Sequence, residues 1–397
     1  MNRPQFTIPP EFQADLKYVE PLDTRADDEI ISSLDTFTPV ESEKNIWAYW
    51  HSGIKSMPGW CKRNVVNWSR LCGPSWTIRV LNAIPDSPNY ALKYIPADML
   101  PETFVKRTME SPYTGQHGAD FLRGATLYLH GGVFMDVGIL LVRSLDRICW
   151  ATLADDSSPR NVAVPHMYNV FLANHFVASR KGDPFIKRWH ELFIHLWANR
   201  TSHTGISNDP LLAFALGFDF AGSNNNGYKF DFAVAPITVF EYITQIICWG
   251  RLCRLEDAGD GFSCADYAVD HILWFTCLNE NWPVETVVGF RGQSAFDALS
   301  TRLDADPESE EYKTAYKAVW SALTRSCMQK VAHAKKLSRT PALGCLWDEN
   351  DSADCQPGTF AELLRYGSVH FEQTRESITI VQTKKPEVTF KKGVLEP

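Results

Sequence analysis

The sequence lacks the usual marks of a secreted or membrane protein. Residues 1–16 (MNRPQFTIPPEFQADL) hold no apolar run after Arg3, so no secretory leader is read there. No run of about 18 apolar residues occurs. The best candidate, residues 138–150 (GILLVRSLDRICW), is interrupted by Arg143, Asp146 and Arg147. The ten cysteines form no CxxC or CxxH pattern, which speaks against a structural zinc site. Scattered thiols without a leader read as reduced core cysteines of a cytoplasmic protein. Positive charge is in deficit, 39 Lys+Arg against 47 Asp+Glu, for a net charge of −8. That balance argues against a general nucleic-acid coat but allows one local basic patch. No internal repeat and no low-complexity block is present, so solenoid and disordered architectures are set aside.

What is present is a long, ordinary globular composition. The 397 residues are 45% hydrophobic and include 13 Trp and 23 Phe. That suffices for a large core and an aromatic-lined pocket. Residues 1–44 are rich in Pro, Asp and Glu and read as an N-terminal arm. Residues 45–50 (NIWAYW) read as a buried strand, followed by a loop at His51, Ser52 and Gly53. Helical spacing over residues 57–71 and alternation over residues 76–81 then give strand, loop, helix, strand. That is the opening of a parallel α/β sheet. Residues 183–199 (DPFIKRWHELFIHLWAN) predict an amphipathic helix capped by Asp183. Residues 310–339 predict one long helix that turns basic at its end, and the tail from residue 383 reads as frayed.

The informative block is residues 117–138, HGADFLRGATLYLHGGVFMDVG. Its helix is expected over residues 118–129, with Asp120 and Arg123 near the start, and glycines end it after His130. A short buried strand then stops at Asp136. In open α/β sheets ligands bind at the carboxyl ends of strands. A carboxylate there suits a metal–phosphate or a ribose, and an arginine nearby suits a phosphate. Taken singly, Asp136 reads as a turn residue and the Asp120/Arg123 pair as a surface ion pair worth under about 1 kcal/mol.

Taken together, IWAYWHSG followed by MP, then AD-x-x-R, then L-x-x-x-GGVFMDVG resemble the capsular-polysaccharide-synthesis type of glycosyltransferase-like proteins. The resemblance runs from about residue 45 to 199. It implies a GT-A-like (Rossmann-like) fold: a mixed, mainly parallel sheet flanked by helices, with a helical C-terminal region. The implied division is an arm at 1–44, a catalytic domain at 45–300, and a helical region with the tail at 301–397. By resemblance, Trp50, His51 and Gly53 line the first loop of the nucleotide edge, Asp120 and Arg123 match the acid and base before the GG turn, and Asp136 matches the first acid of a DxD-type motif. The second acid is absent, since position 138 is Gly. A sugar transferase of this kind would call for Mg2+ or Mn2+ held by paired acids against a diphosphate. With one acid gone, cation binding is weaker or needs another ligand, and His370 is one candidate.

The segments MDVG and RSLD-x-ICW also resemble arginine-containing cyclodipeptide synthases. That resemblance implies a transferase that joins arginine from arginyl-tRNA to a second aminoacyl-tRNA residue and closes a diketopiperazine. Asp120 and Asp136 would then hold a guanidinium or amine, His51 or His117 would act as base, and Gly138 would lie in the substrate site. Basic segments to face the tRNA occur at Lys62-Arg63, Lys106-Arg107, Lys187-Arg188, residues 330–339 and Lys391-Lys392, of which residues 330–339 are the best candidate. This is the leading expectation, because no membrane anchor is read. Transfer from a nucleotide sugar, with a degenerate DxD motif, is the alternative, and a non-catalytic binder is the third reading.

Overall fold

The computed structural model describes residues 5–167, 171–220, 230–331 and 336–397. Its centre is a seven-stranded sheet. The strands are β1 (Asn45–Tyr49), β2 (Thr77–Leu81), β3 (Gly132–Met135), β4 (Val162–Met167), β5 (Phe171–Leu172), β6 (Phe176–Ser179) and β7 (Ile272–Thr276). They lie in the order β7-β4-β6-β3-β1-β2, and β5 pairs with β4. The pairs β1/β2, β1/β3 and β4/β7 are parallel, whereas β6 runs antiparallel to both β3 and β4. The sheet is therefore mixed, with β5 and β6 opposed to the other five.

Strand β1 shows why the sheet is buried on both faces. All five of its residues are buried. Ile46 and Ala48 join one apolar cluster and Trp47 and Tyr49 the other, as the two-residue period of a strand requires. The first cluster takes in Val65 and Trp68 of the Gly59–Cys72 helix, Val319 and Leu323 of Glu310–Arg325, and Leu363 and Leu364 of Phe360–His370. The second takes in Phe121 of Thr114–His130, Trp189 of Pro184–Leu196 and Trp249 of Thr244–Leu252. Helices thus cover both faces of the sheet. All ten cysteines are free thiols, eight of them buried. No helix among the described residues is long and apolar enough to cross a membrane.

Local sequence explains most of the elements. The Asp183 carboxylate accepts from the amides of Phe185 and Ile186, both at 2.9 Å, with Pro184 in the first turn. Gly132, at φ 107°, follows the Thr114–His130 helix, and a Cβ there would stand 2.3 Å from the Asn45 carbonyl oxygen. Only glycine can make that turn from helix to strand.

Three expectations are corrected. The helix expected at residues 118–129 begins earlier, at Thr114, so Asp120 and Arg123 lie beyond its first turn. Tyr113 before it supplies no side-chain cap, which left the start without a sequence signal. The long helix expected over residues 310–339 stops at Arg325, because Ser326 is extended and Met328–Lys330 form a strand antiparallel to Ile139–Leu141. Cys327, Met328 and Val331 are fully buried there, so tertiary packing overrides helix propensity. Residues 332–335 of the expected basic helix end lie outside the described residues. The tail is also tied down. Phe390–Lys391 pair with Leu255–Asp257, and the Arg251 guanidinium donates to the carbonyls of Val394 and Glu396. At the other end of the chain, Leu16–Tyr18 pair with Phe371–Gln373.

Candidate active site

A cavity of about 750 Å³ opens at the carboxyl ends of β1, β3 and β4. This is where an open α/β sheet places its ligand. Trp50 and His51 enter it after β1, and Asp136 and Gly138 after β3. Asp120 and Arg123 reach it from the Thr114–His130 helix. Aromatic rings make much of the remaining wall, among them Tyr242, Trp282 and Phe290.

The polar floor is one connected network. Arg123 is buried, and its Nη1 donates to Asp120 Oδ1 and to Gln245 Oε1. Its Nη2 lies 3.2 Å from Asp136 Oδ1. The other Asp136 oxygen accepts from the Lys330 ammonium at 2.8 Å. Asn174 Nδ2 donates to Asp120 Oδ1 at 3.1 Å and to Gln245 Oε1 at 3.0 Å. The Asp136 amide donates to the His175 carbonyl at 3.0 Å. Burial works against the Asp136 charge. Lys330 and Arg123 outweigh it and hold the carboxyl below its ordinary range. The His175 imidazole is pushed down to about 3, first by burial and then by the Lys330 charge, so it is neutral. Glu285 lies on the same wall. Burial pushes its carboxyl up to about 7, against the Gln329 amide and the Lys330 charge.

The expected residues divide into two groups. Trp50, His51, Asp120, Arg123, Asp136 and Gly138 all line the cavity. His117 and Gly53 are absent from the described residues that line it. His117 is buried behind Asp120, with Nδ1 3.7 Å from Asp120 Oδ2 and its ring against Trp197, His203 and Tyr242. Gly53 turns the loop at φ 81° and donates its amide to the Trp50 carbonyl. His370 lies away from the cavity, stacked on Tyr366 at 4.2 Å with its carbonyl accepting from Val19, so it does not complete a ligand set with Asp136. Lys330, Gln245, Asn174, His175 and Glu285 had no place in the expected site. Of these, only Lys330 left a trace in the sequence, as one charge in a basic segment.

Among the described residues the donor set does not fit a divalent cation. Asp136 gives both oxygens to cationic side chains. No group of three or more His, Cys, Asp or Glu side chains placed to hold a metal occurs among the described residues.

Comparison with known proteins adds the family context. A profile described as capsular polysaccharide synthesis protein matches residues 11–205. "Probable glycosyltransferase FCK3" of Fusarium pseudograminearum (strain CS3096) is 52% identical over 98% of this chain and 99% of its own length. "O-glycosyltransferase PaGT" of Phomopsis amygdali is 36% identical over 94% of this chain and 93% of its own. "O-glycosyltransferase braB" of Annulohypoxylon truncatum is 36% identical over 95% and 91%. A solved structure titled PaToxG Glycosyltransferase aligns with 43% of this chain and 67% of its own at 16% identity, with a TM-score of 0.27, too low to assign a shared fold.

These relatives overturn the cyclodipeptide synthase expectation, and with it aminoacyl-tRNA as a partner. Identity of 52% over nearly the whole length goes with glycosyl transfer rather than aminoacyl transfer.

Proposed function

The chain belongs to the glycosyltransferase family of these fungal relatives, and on that premise we propose that it moves a sugar from a nucleotide-sugar donor to a hydroxyl group of a small acceptor. The carrying observation is Asp136 set between Arg123 and Lys330 on the floor of a cavity at the carboxyl edge of the sheet. A nucleotide diphosphate is an anion that such a floor can hold by charge-assisted hydrogen bonds. The cavity volume lies within the small-molecule range, and its aromatic wall suits an apolar, ring-bearing acceptor.

In the reaction, the bond between the anomeric carbon and the diphosphate oxygen breaks, and its electron pair leaves with the nucleoside diphosphate. The acceptor oxygen forms the new bond and gives up its proton. Glu285, with a carboxyl near neutrality in its ionisation, is the group we assign to receive that proton. His51 lies on the same wall and is the second candidate.

The test is incubation of the purified protein with UDP-, GDP- and ADP-linked sugars and a panel of aromatic and alicyclic alcohols. Mass spectrometry should show an acceptor heavier by one sugar residue, with matching release of nucleoside diphosphate. Failure to consume any nucleotide sugar would remove this reading.

A further inference from the structure

A departing diphosphate builds up negative charge that something must neutralise. Enzymes with paired acids use a bound divalent cation for this. Here position 138, where the second acid would stand, cannot carry a side chain. A Cβ on Gly138 would lie 2.6 Å from the Val331 carbonyl oxygen and 3.4 Å from Lys330 Nζ. The contact is fixed by backbone, because the Val331 amide donates to the Gly138 carbonyl at 2.7 Å, next to the pairing of Met328–Lys330 with Ile139–Leu141. The same strand brings the Lys330 ammonium to Asp136.

We propose that Lys330, backed by Arg123, takes the place of the divalent cation and binds the donor's diphosphate oxygens directly. The proposal rests on the glycosyltransferase reading above. Asp136 then holds two cationic side chains in position instead of a metal. Lys330 is only 15% exposed in its side chain, so its charge acts in a shielded site rather than in open water. Arg123 is fixed by Asp120 and Gln245 through Nη1 and keeps Nη2 toward Asp136. When the anomeric carbon–oxygen bond breaks, the charge appears on a phosphate oxygen facing Lys330, and no metal is consumed or required.

The experiment is a fluorescence or calorimetric titration of the full chain with UDP, GDP, ADP, CDP and dTDP. It is run with excess EDTA and again with MnCl2. We expect one of these diphosphates to bind with affinities within about threefold in the two buffers. Lys330→Met should weaken that binding by at least about tenfold, and Lys330→Arg should recover most of it. Binding that needs Mn2+ overturns the proposal and leaves the glycosyltransferase reading standing. Binding of none of the five in either buffer overturns both. Equal binding by folded wild type, Lys330→Met and Lys330→Arg removes Lys330 from the role. The wild-type comparison decides the metal question even where Lys330→Met does not fold.

Discussion

The Gly138 carbonyl accepts the Val331 amide at 2.7 Å, and the Val331 carbonyl fills the space where a side chain on Gly138 would go. The packing of the strand that delivers Lys330 therefore requires a glycine at position 138. Gly138→Asp should not restore a metal site. It should push the two strands apart and cost about 1–3 kcal/mol, in the manner of overpacking. Urea denaturation measures this, and an undiminished midpoint would mean that the strand yields easily.

Asp136 is the group that both cations share. Asp136→Asn keeps the shape and removes the charge, so Lys330 and Arg123 lose their common anchor. Sugar transfer should fall by at least about a hundredfold, the scale of losing one preorganised charge contact in an active site. Circular dichroism should stay unchanged. A variant that keeps wild-type turnover would show that the two cations need no anchor.

The parts of this site that could be read from the sequence are those with local causes. Strand β1 and the Pro184–Leu196 helix were legible because alternation and an Asp-Pro cap are neighbour effects. Asp136 by itself reads as a turn residue, and it stands out only in combination with the AD-x-x-R and GGVFMDVG segments of the family resemblance. Lys330 was not, because its partner lies 194 residues away and its surroundings look helical. Gln245 and Asn174 meet Arg123 and Asp120 only through packing of the Thr244–Leu252 helix and the turn before β6, and neither leaves a periodic signal. The family resemblance was informative, but its narrower branch was not, because short segments such as MDVG record local turn geometry rather than which group is transferred.

Arg123 also carries structural weight. Its buried fork meets Asp120, Gln245 and Asp136 from two different nitrogens. Arg123→Met leaves the mostly buried Asp120 without its cation, and breaking such a pair costs about 3–5 kcal/mol. Arg123→Lys should recover part of this, because a single ammonium cannot span both ends of the fork. Thermal and urea denaturation of the two variants should rank wild type above Arg123→Lys above Arg123→Met.

Glu285 gives a pH signature with two readouts of opposite sense. Burial raises its carboxyl from an ordinary 4.5 to about 7. As the proton acceptor it is protonated and idle below that value, so transfer should rise with pH between about 6 and 8 and then level off. Glu285→Gln should lose most activity and flatten the remaining profile. Stability runs the other way. The folded state holds this proton more tightly than the unfolded chain, so the contribution is fully present below 4.5 and is lost as pH rises through about 7. Wild type should therefore lose about 3 kcal/mol relative to Glu285→Gln across that window. Paired denaturation curves at acidic and alkaline pH give the difference, and a pH-independent gap between the two proteins would place Glu285 in contact with water. In that case the rise in rate would have to come from another group, and His51, exposed on the same wall, is the one to substitute next.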